Sequence, residues 1–276
     1  MNNQLAEKLL HNKMCVIGGA IVIAVVLIAI FSPIIITCDP EAINLNQIGL
    51  SAKPGHIFGT DDLGRDIFSR VVAGAKTSLL VGLFVTVLST ALGTLIGSIS
   101  GFIGGKIDNV TMKVMDIIMA FPSILLALVF VTIMGTGLYS AMTGVGISNI
   151  PRFARLVRGS VLSIKKAEYV EAEYAVGQKP KNILIKHILP NCIAPIIVQA
   201  TLAIGNAIIT VAGLGFLGLG AAPGVAEWGA RLSDARNYLR AMPQIAIYPG
   251  SAIAITVLGF NLLGDGLRDV LDVRQE

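Results

Sequence analysis

Five long stretches of the chain contain no Lys, Arg, His, Asp or Glu, and they restrict its possible folds more than any other feature. A hydrocarbon core about 30 Å thick is crossed by about 20 apolar residues at about 1.5 Å each. All five stretches are long enough to cross it, and they are 14–37, 77–105, 117–151, 188–226 and 241–264. The chain is therefore predicted to lie in a bilayer.

The third stretch is too long for one span. Residues 135–137 interrupt it and indicate a hairpin, with one helix ending near Met134 and the next beginning near Leu138. The fourth stretch counts as one span, because its glycine-rich end, 213–224, suits a turn or a short re-entrant piece. The prediction is an all-α, polytopic membrane protein with six transmembrane helices.

The apolar part of the fourth helix, 138–150, is too short to span the membrane alone. We therefore expect this helix to continue through Pro151, with Arg152 and Arg155 reaching the headgroups. The first stretch is longer than the roughly 7 to 15 residues of a signal-peptide core, and is predicted to be a retained span.

Composition agrees with a membrane protein and excludes other classes. Hydrophobic residues form 54% of the chain and charged residues 14%, whereas a soluble domain carries about 25% charged residues. The 21 Lys and Arg cannot form a sustained basic face, so nucleic acid is not an expected partner. The three cysteines are too far apart to predict a disulfide framework or a metal site.

Two glycine-rich patterns superficially match nucleotide-binding motifs. Residues 213–218 match G-x-G-x-x-G, but that motif acts between a strand and a helix of a soluble sheet, so a tight turn is predicted. Lys106 follows two glycines, yet Ser100 and Ile107 stand where a phosphate loop needs a glycine and a hydroxyl residue. We expect no ATP hydrolysis by this chain and no bound cofactor.

Catalytic and metal-binding patterns are also not predicted. The carboxylates of residues 61–66 lack calcium-loop spacing and surround an arginine, which favours a salt-bridged turn. His11, His56 and His187 are scattered along the chain and are predicted to be ordinary surface histidines.

Three glycines form a stripe on the second helix. Gly93, Gly97 and Gly101 recur every fourth residue, so a neighbouring helix backbone can approach this face closely. Helix packing is favoured over a pore lining, and the contact is either within the chain or with a partner.

Basic residues are concentrated between the fourth and fifth helices. Residues 152–190 hold eight Lys or Arg and three Glu, and the positive-inside rule places this loop in the cytoplasm. With six spans, both termini lie on the same side as the loop, and residues 38–76 and 227–240 lie outside.

The loop also carries an amphipathic pattern. Residues 168–190 predict a short helix, a break at Gly177, a basic turn and a second helix. Tyr169, Ala172 and Val176 are spaced three and four apart on one helical face, an apolar stripe outside the membrane. A docking soluble partner explains this stripe; packing against the chain's own helices is the alternative.

The chain resembles the membrane-spanning permease subunit of binding-protein-dependent ABC importers, in the dipeptide, oligopeptide and nickel group, of the C-type. Residues 171–190 are similar to the family's EAA loop, although Glu173 stands where the family usually has Ala. The other segments similar to family signatures are 58–70, 120–122, 216–220, 227–229 and 260–269.

The resemblance implies a type I ABC importer permease fold in the cell membrane. It implies four kinds of partner: a homologous second permease, two ATP-binding subunits that hold the ATPase activity, an extracytoplasmic substrate-binding protein and the lipid bilayer. Di- or oligopeptides are the implied substrates, with nickel or a metal chelate as the alternative. The residues implied to contact the ATPase are Glu168, Tyr169, Glu171, Ala172, Gly177, Leu189 and Pro190.

The same resemblance suggests two parts. Residues 1–76 would form an N-terminal transmembrane helix with an external segment, and residues 77–276 a core permease domain that contains the EAA-type loop at 152–190.

A channel or an ATP-independent carrier is the competing class of function. A proton-driven carrier is disfavoured, because the five apolar stretches contain no Asp or Glu.

Gly177 is predicted to be the hinge or close-approach point of the loop, since glycine reaches positive φ without steric cost. We expect Gly177→Val to leave membrane insertion intact but to uncouple ATP hydrolysis from uptake. Membrane fractionation and uptake assays on the assembled importer would check this, and normal transport by the variant would contradict it.

Overall fold

The structure is a computed structural model that describes residues 2–222 and 224–272, apart from the side chains of 2–6 and 272. The described part contains isolated β-bridges but no β-strand, and it folds into α-helices. The last four residues of the predicted core domain, 273–276, lie outside the described residues. The helices are α1 Asn2–His11, α2 Lys13–Ile30, α3 Ser32–Ile35, α4 Ile67–Ile103, α5 Gly105–Met119, α6 Ser123–Met134, α7 Leu138–Ile164, α8 Glu168–Ala175, α9 Pro180–Ile183, α10 Ile193–Phe216, α11 Trp228–Ala235 and α12 Gln244–Asp272.

Four helical segments in the described part are long and apolar enough to cross a membrane: Lys13–Ile30, Ile67–Ile103, Pro180–Phe216 and Gln244–Leu271. The pair α5 and α6, bent by 89°, makes a fifth if it is counted as one span. The all-α prediction is confirmed, but the number of six spans is not. Helix α7 does not qualify, because arginines and small polar residues interrupt its apolar sequence.

Helix α7 nevertheless packs against four other helices of the described part, α4, α5, α6 and α10. It is 27 residues long and continues through Pro151 without a break, as expected for the fourth helix. Its Val145, Phe153 and Val157 side chains are fully buried. Along its N-terminal half it packs against α6, where Gly144 lies beside Ala127. The least apolar of the long helices is therefore shielded by its neighbours along much of its length.

The glycine stripe of α4 lies against α7 within the chain. A Cβ on Gly93 would collide with the Cβ of Phe153, and one on Gly97 with the carbonyl oxygen of Ala154. At Gly101 it would lie 3.0 Å from the carbonyl oxygen of Arg158. Successive positions of α4 meet successive positions of α7, so the two helices run parallel.

At the end of the bundle that we call the Trp228 end, polar contacts join α4 to α11. Glu227 caps α11 by accepting hydrogen bonds from Gly229 N at 2.9 Å and Ala230 N at 2.8 Å, and it also accepts one from Ser78 at 3.3 Å. The Trp228 indole donates to the Val71 carbonyl at 2.9 Å. These bonds satisfy groups that are nearly inaccessible to water.

The turn at residues 61–66 is salt-bridged, as predicted: Arg65 Nε lies 2.7 Å from Asp61 Oδ2. The prediction for His56 was wrong, because this ring is largely buried. Its Nδ1 lies 2.9 Å from Asp66 Oδ1 and its Nε2 lies 3.0 Å from Gln47 Oε1. His56 therefore joins the segment before α4 to Asp66, the residue that caps α4.

At the Trp228 end, burial changes the pKa values of two charged side chains, Asp62 and Arg231. Loss of solvent, reinforced by neighbouring Asp61, raises the pKa of Asp62. Burial lowers the pKa of Arg231, although Asp234 at 2.8 Å opposes this change.

The predicted tight turn at 213–218 occurs only at its last residue. Gly213 and Gly215 lie within α10, and Gly218, with φ +80°, follows the end of that helix. Gly215 packs against the backbone of Gly229. The pattern therefore serves helix termination and packing.

The close α4–α7 contact generates a stability prediction. We expect Gly97→Ala to destabilise the chain by about 1–3 kcal/mol, since the added methyl group has no space against the backbone of α7. The matched control is Gly159→Ala on α7, where a Cβ would meet no atom within 4 Å. Thermal unfolding of the purified variants in mild detergent measures both, and equal stability of the two would contradict the packing.

Candidate functional site

Helix α8 begins a short structured segment, residues 168–192, which we call the α8 segment. Helix α8 ends in a Schellman motif, in which Gln178 N donates to Glu173 O and Gly177 N donates to Tyr174 O, both at 3.0 Å. Gly177 has φ +80° and no atom within 4 Å of a potential Cβ. Backbone conformation, rather than close approach within the chain, therefore requires glycine at this position.

One face of α8 is anchored to the bundle through a single large side chain. Val170 is fully buried and packs with Val157 and Val161 of α7 and with Ile183 and Ile188 of the α8 segment. This small core holds the segment at the end of α7. We call this end of the bundle the α8 end.

The opposite face of α8 carries the predicted apolar stripe, and it is exposed. Tyr169 is 46% and Val176 79% accessible, and Ala172 is also exposed. Glu168 and Glu171 lie on the surface in the first turn, where carboxylates interact favourably with the helix dipole. The chain's own helices therefore do not cover the stripe.

The second half of the segment is irregular helix. Leu184–Ile188 forms a π-helical turn and Leu189–Cys192 a 3-10 turn that leads into α10. Pro190 lies in the first turn of the latter and is exposed, whereas Leu189 is half-buried. Among the predicted contact residues, Leu189 is the least accessible.

Two polar contacts connect α8 to these turns. Asn191 Nδ2 donates to the Tyr169 hydroxyl at 3.2 Å and to the His187 carbonyl at 2.7 Å. His187 Nε2 lies 3.6 Å from Glu173 Oε1. Sequence reasoning did not detect these contacts, because they join residues 14 to 22 positions apart. It also missed Val170, whose only signal is that it is the one large aliphatic residue in α8.

Charged side chains connect the end of α7 to α4 and α5. Arg158 donates to both carboxylate oxygens of Asp108, at 3.1 and 2.5 Å, and Ser100 donates to the same group at 2.6 Å. Lys165 donates to the Phe102 carbonyl at 2.7 Å. The helix that carries the α8 segment is therefore fixed to the rest of the bundle close to that segment.

The described residues contain no cluster of three His, Cys, Asp or Glu side chains that could hold a metal ion. The exposed stripe lies on a helix whose other face is anchored to the bundle. The fold defines a multi-pass membrane protein that carries a short exposed helix at one end.

The chain belongs to the family of binding-protein-dependent transport system inner membrane components, which residues 93–276 match. Residues 4–54 match the N-terminal transmembrane domain of oligopeptide transport permease C. The chain is thus a multi-pass inner-membrane permease component of an ABC importer, and the resemblance to the dipeptide and oligopeptide group is confirmed.

Curated relatives are similar over almost the whole chain. The dipeptide transport system permease protein DppC of Alkalihalophilus pseudofirmus is 45% identical over 98% of this chain and 89% of its own length. The probable D,D-dipeptide transport system permease protein DdpC of Escherichia coli is 41% identical over 98% and 90%. The glutathione transport system permease protein GsiD of Salmonella typhimurium is 45% identical over 95% and 87%.

A chain of the MetNI methionine ABC transporter, crystallised in inward facing conformations, has a similar fold. The TM-score is 0.61, with 21% sequence identity, over 74% of this chain and 97% of that chain. This likeness confirms the predicted ABC importer permease fold.

The core beneath α8 generates a matched pair of variants. We expect Ile183→Ala, at a fully buried position, to destabilise the α8 segment by about 2–5 kcal/mol. Ile185→Ala, at a position 50% accessible, should cost at most about 0.5 kcal/mol. Limited trypsin cleavage at the exposed Lys179 and Lys181 should be faster in the first variant only; identical rates would contradict the proposed anchoring.

Proposed function

We propose that this chain is the peptide-translocating permease of an ATP-driven importer, and that the α8 segment docks on an ATP-binding subunit. The observation that carries the proposal is the exposed apolar stripe of Tyr169, Ala172 and Val176 on a helix whose other face is anchored by Val170. Aromatic side chains such as tyrosine are enriched in the buried centre of a protein interface. Our assignment of the other ATPase-contact residues, Glu168, Glu171, Gly177, Leu189 and Pro190, rests on the resemblance of this loop to the family's EAA loop.

The relatives support peptides as the substrate. Their names describe dipeptide, D,D-dipeptide and glutathione transport. These names do not favour nickel or a metal chelate. The described residues also contain no cluster of three His, Cys, Asp or Glu side chains that could hold a metal ion.

The α8 end is proposed to be cytoplasmic, and both termini with it. The start of α2 packs against the end of α12, where Gly266 lies beside Cys15. Leu156, Ala194 and Arg268 line one cavity between α7, α10 and α12. Both chain ends therefore come close to the basic loop, which agrees with the positive-inside rule.

ATPase activity is assigned to separate subunits. The sequence around Lys106 is the one that resembles a phosphate loop. There, Ser100 lies within helix α4, and its hydroxyl donates to Asp108. A phosphate loop requires free backbone amides at these positions. The chain would therefore depend on two ATP-binding subunits, together with a homologous second permease and an extracytoplasmic substrate-binding protein.

The proposed mechanism uses the α8 segment as a lever. When the ATP-binding subunits close, α8 would move with them and displace α7, which carries it, thereby changing the bundle from inward to outward facing. Such a change is a shift between two states by differential affinity. We retain the division into an N-terminal part, 1–76, and a core permease domain, 77–276, with the EAA-type loop at 152–190.

A docking variant tests the proposal. The Ala172→Arg substitution adds charge to the stripe but removes no buried contact, so the chain should fold while its association with the ATP-binding subunit weakens by roughly tenfold or more, equivalent to about 1.4 kcal/mol or above. The control, Ser51→Arg, adds the same charge to an exposed position in the segment before α4.

Affinity purification of the tagged chain from native membranes in mild detergent measures the outcome. ATP-binding subunits should accompany the unaltered chain and the Ser51→Arg variant, and should be depleted with Ala172→Arg. If the unaltered chain is purified without them but transports peptide alone, it is an ATP-independent carrier.

A further inference from the structure

Helix α8 has contacts that its small core does not explain. Val170 belongs to a core that it shares with α7 and that Ile196 of α10 also borders. The Tyr169 side chain reaches the 3-10 turn that runs directly into α10 at Ile193, and the Glu173 side chain reaches the π-helical turn before it. Helix α8 is thus linked to α7 through an apolar core and to α10 through polar contacts with the turns that lead into it.

The polar contacts involve four side chains in two pairs. Asn191 Nδ2, 3.2 Å from the Tyr169 hydroxyl, also donates to the His187 carbonyl and so connects α8 to both irregular turns. The Glu173 carboxylate lies 3.6 Å from His187 Nε2, which is an ion-pair distance when the ring is protonated. Each of these two side chains is 28% accessible, so the pair is partly shielded.

The geometry shows why one apolar anchor is insufficient. An isolated helix of eight residues is not stable in water, and α8 is followed by an exposed turn at Gly177. A helix held by one buried side chain can rotate about that contact. Tyr169 and Glu173 are one turn apart on α8, and their contacts restrict this rotation.

We propose that Tyr169 and Glu173 are positioning residues that brace α8 against Asn191 and His187, so that a movement of α8 reaches α10 as well as α7. The proposal rests on the proposed function, because it concerns how a docked ATP-binding subunit moves the bundle. Force on α8 is transmitted to α7 through Val170 and to α10 through the two pairs.

Conservative variants separate bracing from docking. Tyr169→Phe keeps the ring on the docking face and removes only the hydroxyl that Asn191 contacts. Glu173→Gln keeps the size of the side chain and removes its charge. Lys186→Gln is the matched control, because Lys186 is exposed beside His187 and no side-chain partner for it occurs in the described part of the chain.

The first measurement is hydrogen exchange of the backbone amides of α8 in the assembled importer. The double variant Tyr169→Phe, Glu173→Gln should exchange about two- to fivefold faster over residues 168–177, the range expected for partly exposed polar contacts. The Lys186→Gln control should exchange like the unaltered protein. Unchanged exchange in the double variant would overturn the proposal.

The second measurement is the amount of dialanine taken up per ATP hydrolysed in proteoliposomes that contain the importer. We expect this ratio to fall about two- to fivefold in the double variant while the ATP-binding subunits still co-purify. The exchanged pair Glu173→Lys, His187→Glu should restore part of the ratio when compared with Glu173→Lys alone, an effect that a loss of general stability would not produce.

The outcomes distinguish this proposal from the function on which it rests. Loss of the ATP-binding subunits from the Tyr169→Phe, Glu173→Gln variant would show that the Tyr169 hydroxyl or the Glu173 charge is needed for docking rather than for bracing, and would overturn the proposal. An unchanged uptake ratio despite faster exchange would equally overturn the transmission to α10. Absence of ATP-binding subunits from the unaltered chain would instead refute the proposed function.

Discussion

The close parallel packing of α4 and α7 is the contact on which the rest of the structure depends. In a bilayer, apolar side chains gain nothing by leaving lipid for another helix, so helices associate through close van der Waals contact and polar groups. Gly93 and Gly97 permit that contact, because any side chain there would meet the backbone or the Cβ atoms of α7. Helix α7, whose arginines and small polar residues make it a poor span by itself, is thereby buried among its neighbours.

The position of α7 explains the position of the α8 segment. Near the end of α7, Arg158 pairs with Asp108 of α5. Val170 of α8 packs against Val157 of α7. The proposed docking surface would need a rigid support to convey movement, and both contacts fix it to α7. At the Trp228 end, Trp228 and Glu227 connect α4 to α11 by hydrogen bonds. Contacts between helices are therefore present at both ends of the bundle.

Parts of this arrangement were predictable from local sequence. The break at residues 135–137 and the continuation of α7 through Pro151 follow from glycine and from hydrophobic length. The salt-bridged turn at 61–66 follows from charges a few residues apart. The buried position of His56 was not predictable, because its partner Asp66 is ten residues away and nothing local distinguishes this ring from an exposed one. The count of six spans is unconfirmed because α7 is not apolar enough to be recognised as a span from its own sequence. A helix that its neighbours shield can carry charged residues, and only the tertiary structure shows this shielding.

The sequence alone determined that this is an all-α membrane protein with a short helix outside its apolar stretches. Hydrophobic length and helical spacing are local properties, and a bilayer permits few other solutions. The tertiary structure alone decided which face of α8 is free. Tyr169 and Val170 are adjacent in sequence, yet Val170 is buried and Tyr169 lies on the surface beside Asn191. That choice depends on where α7 and the turn before α10 lie, and these positions arise from contacts between residues far apart in the chain.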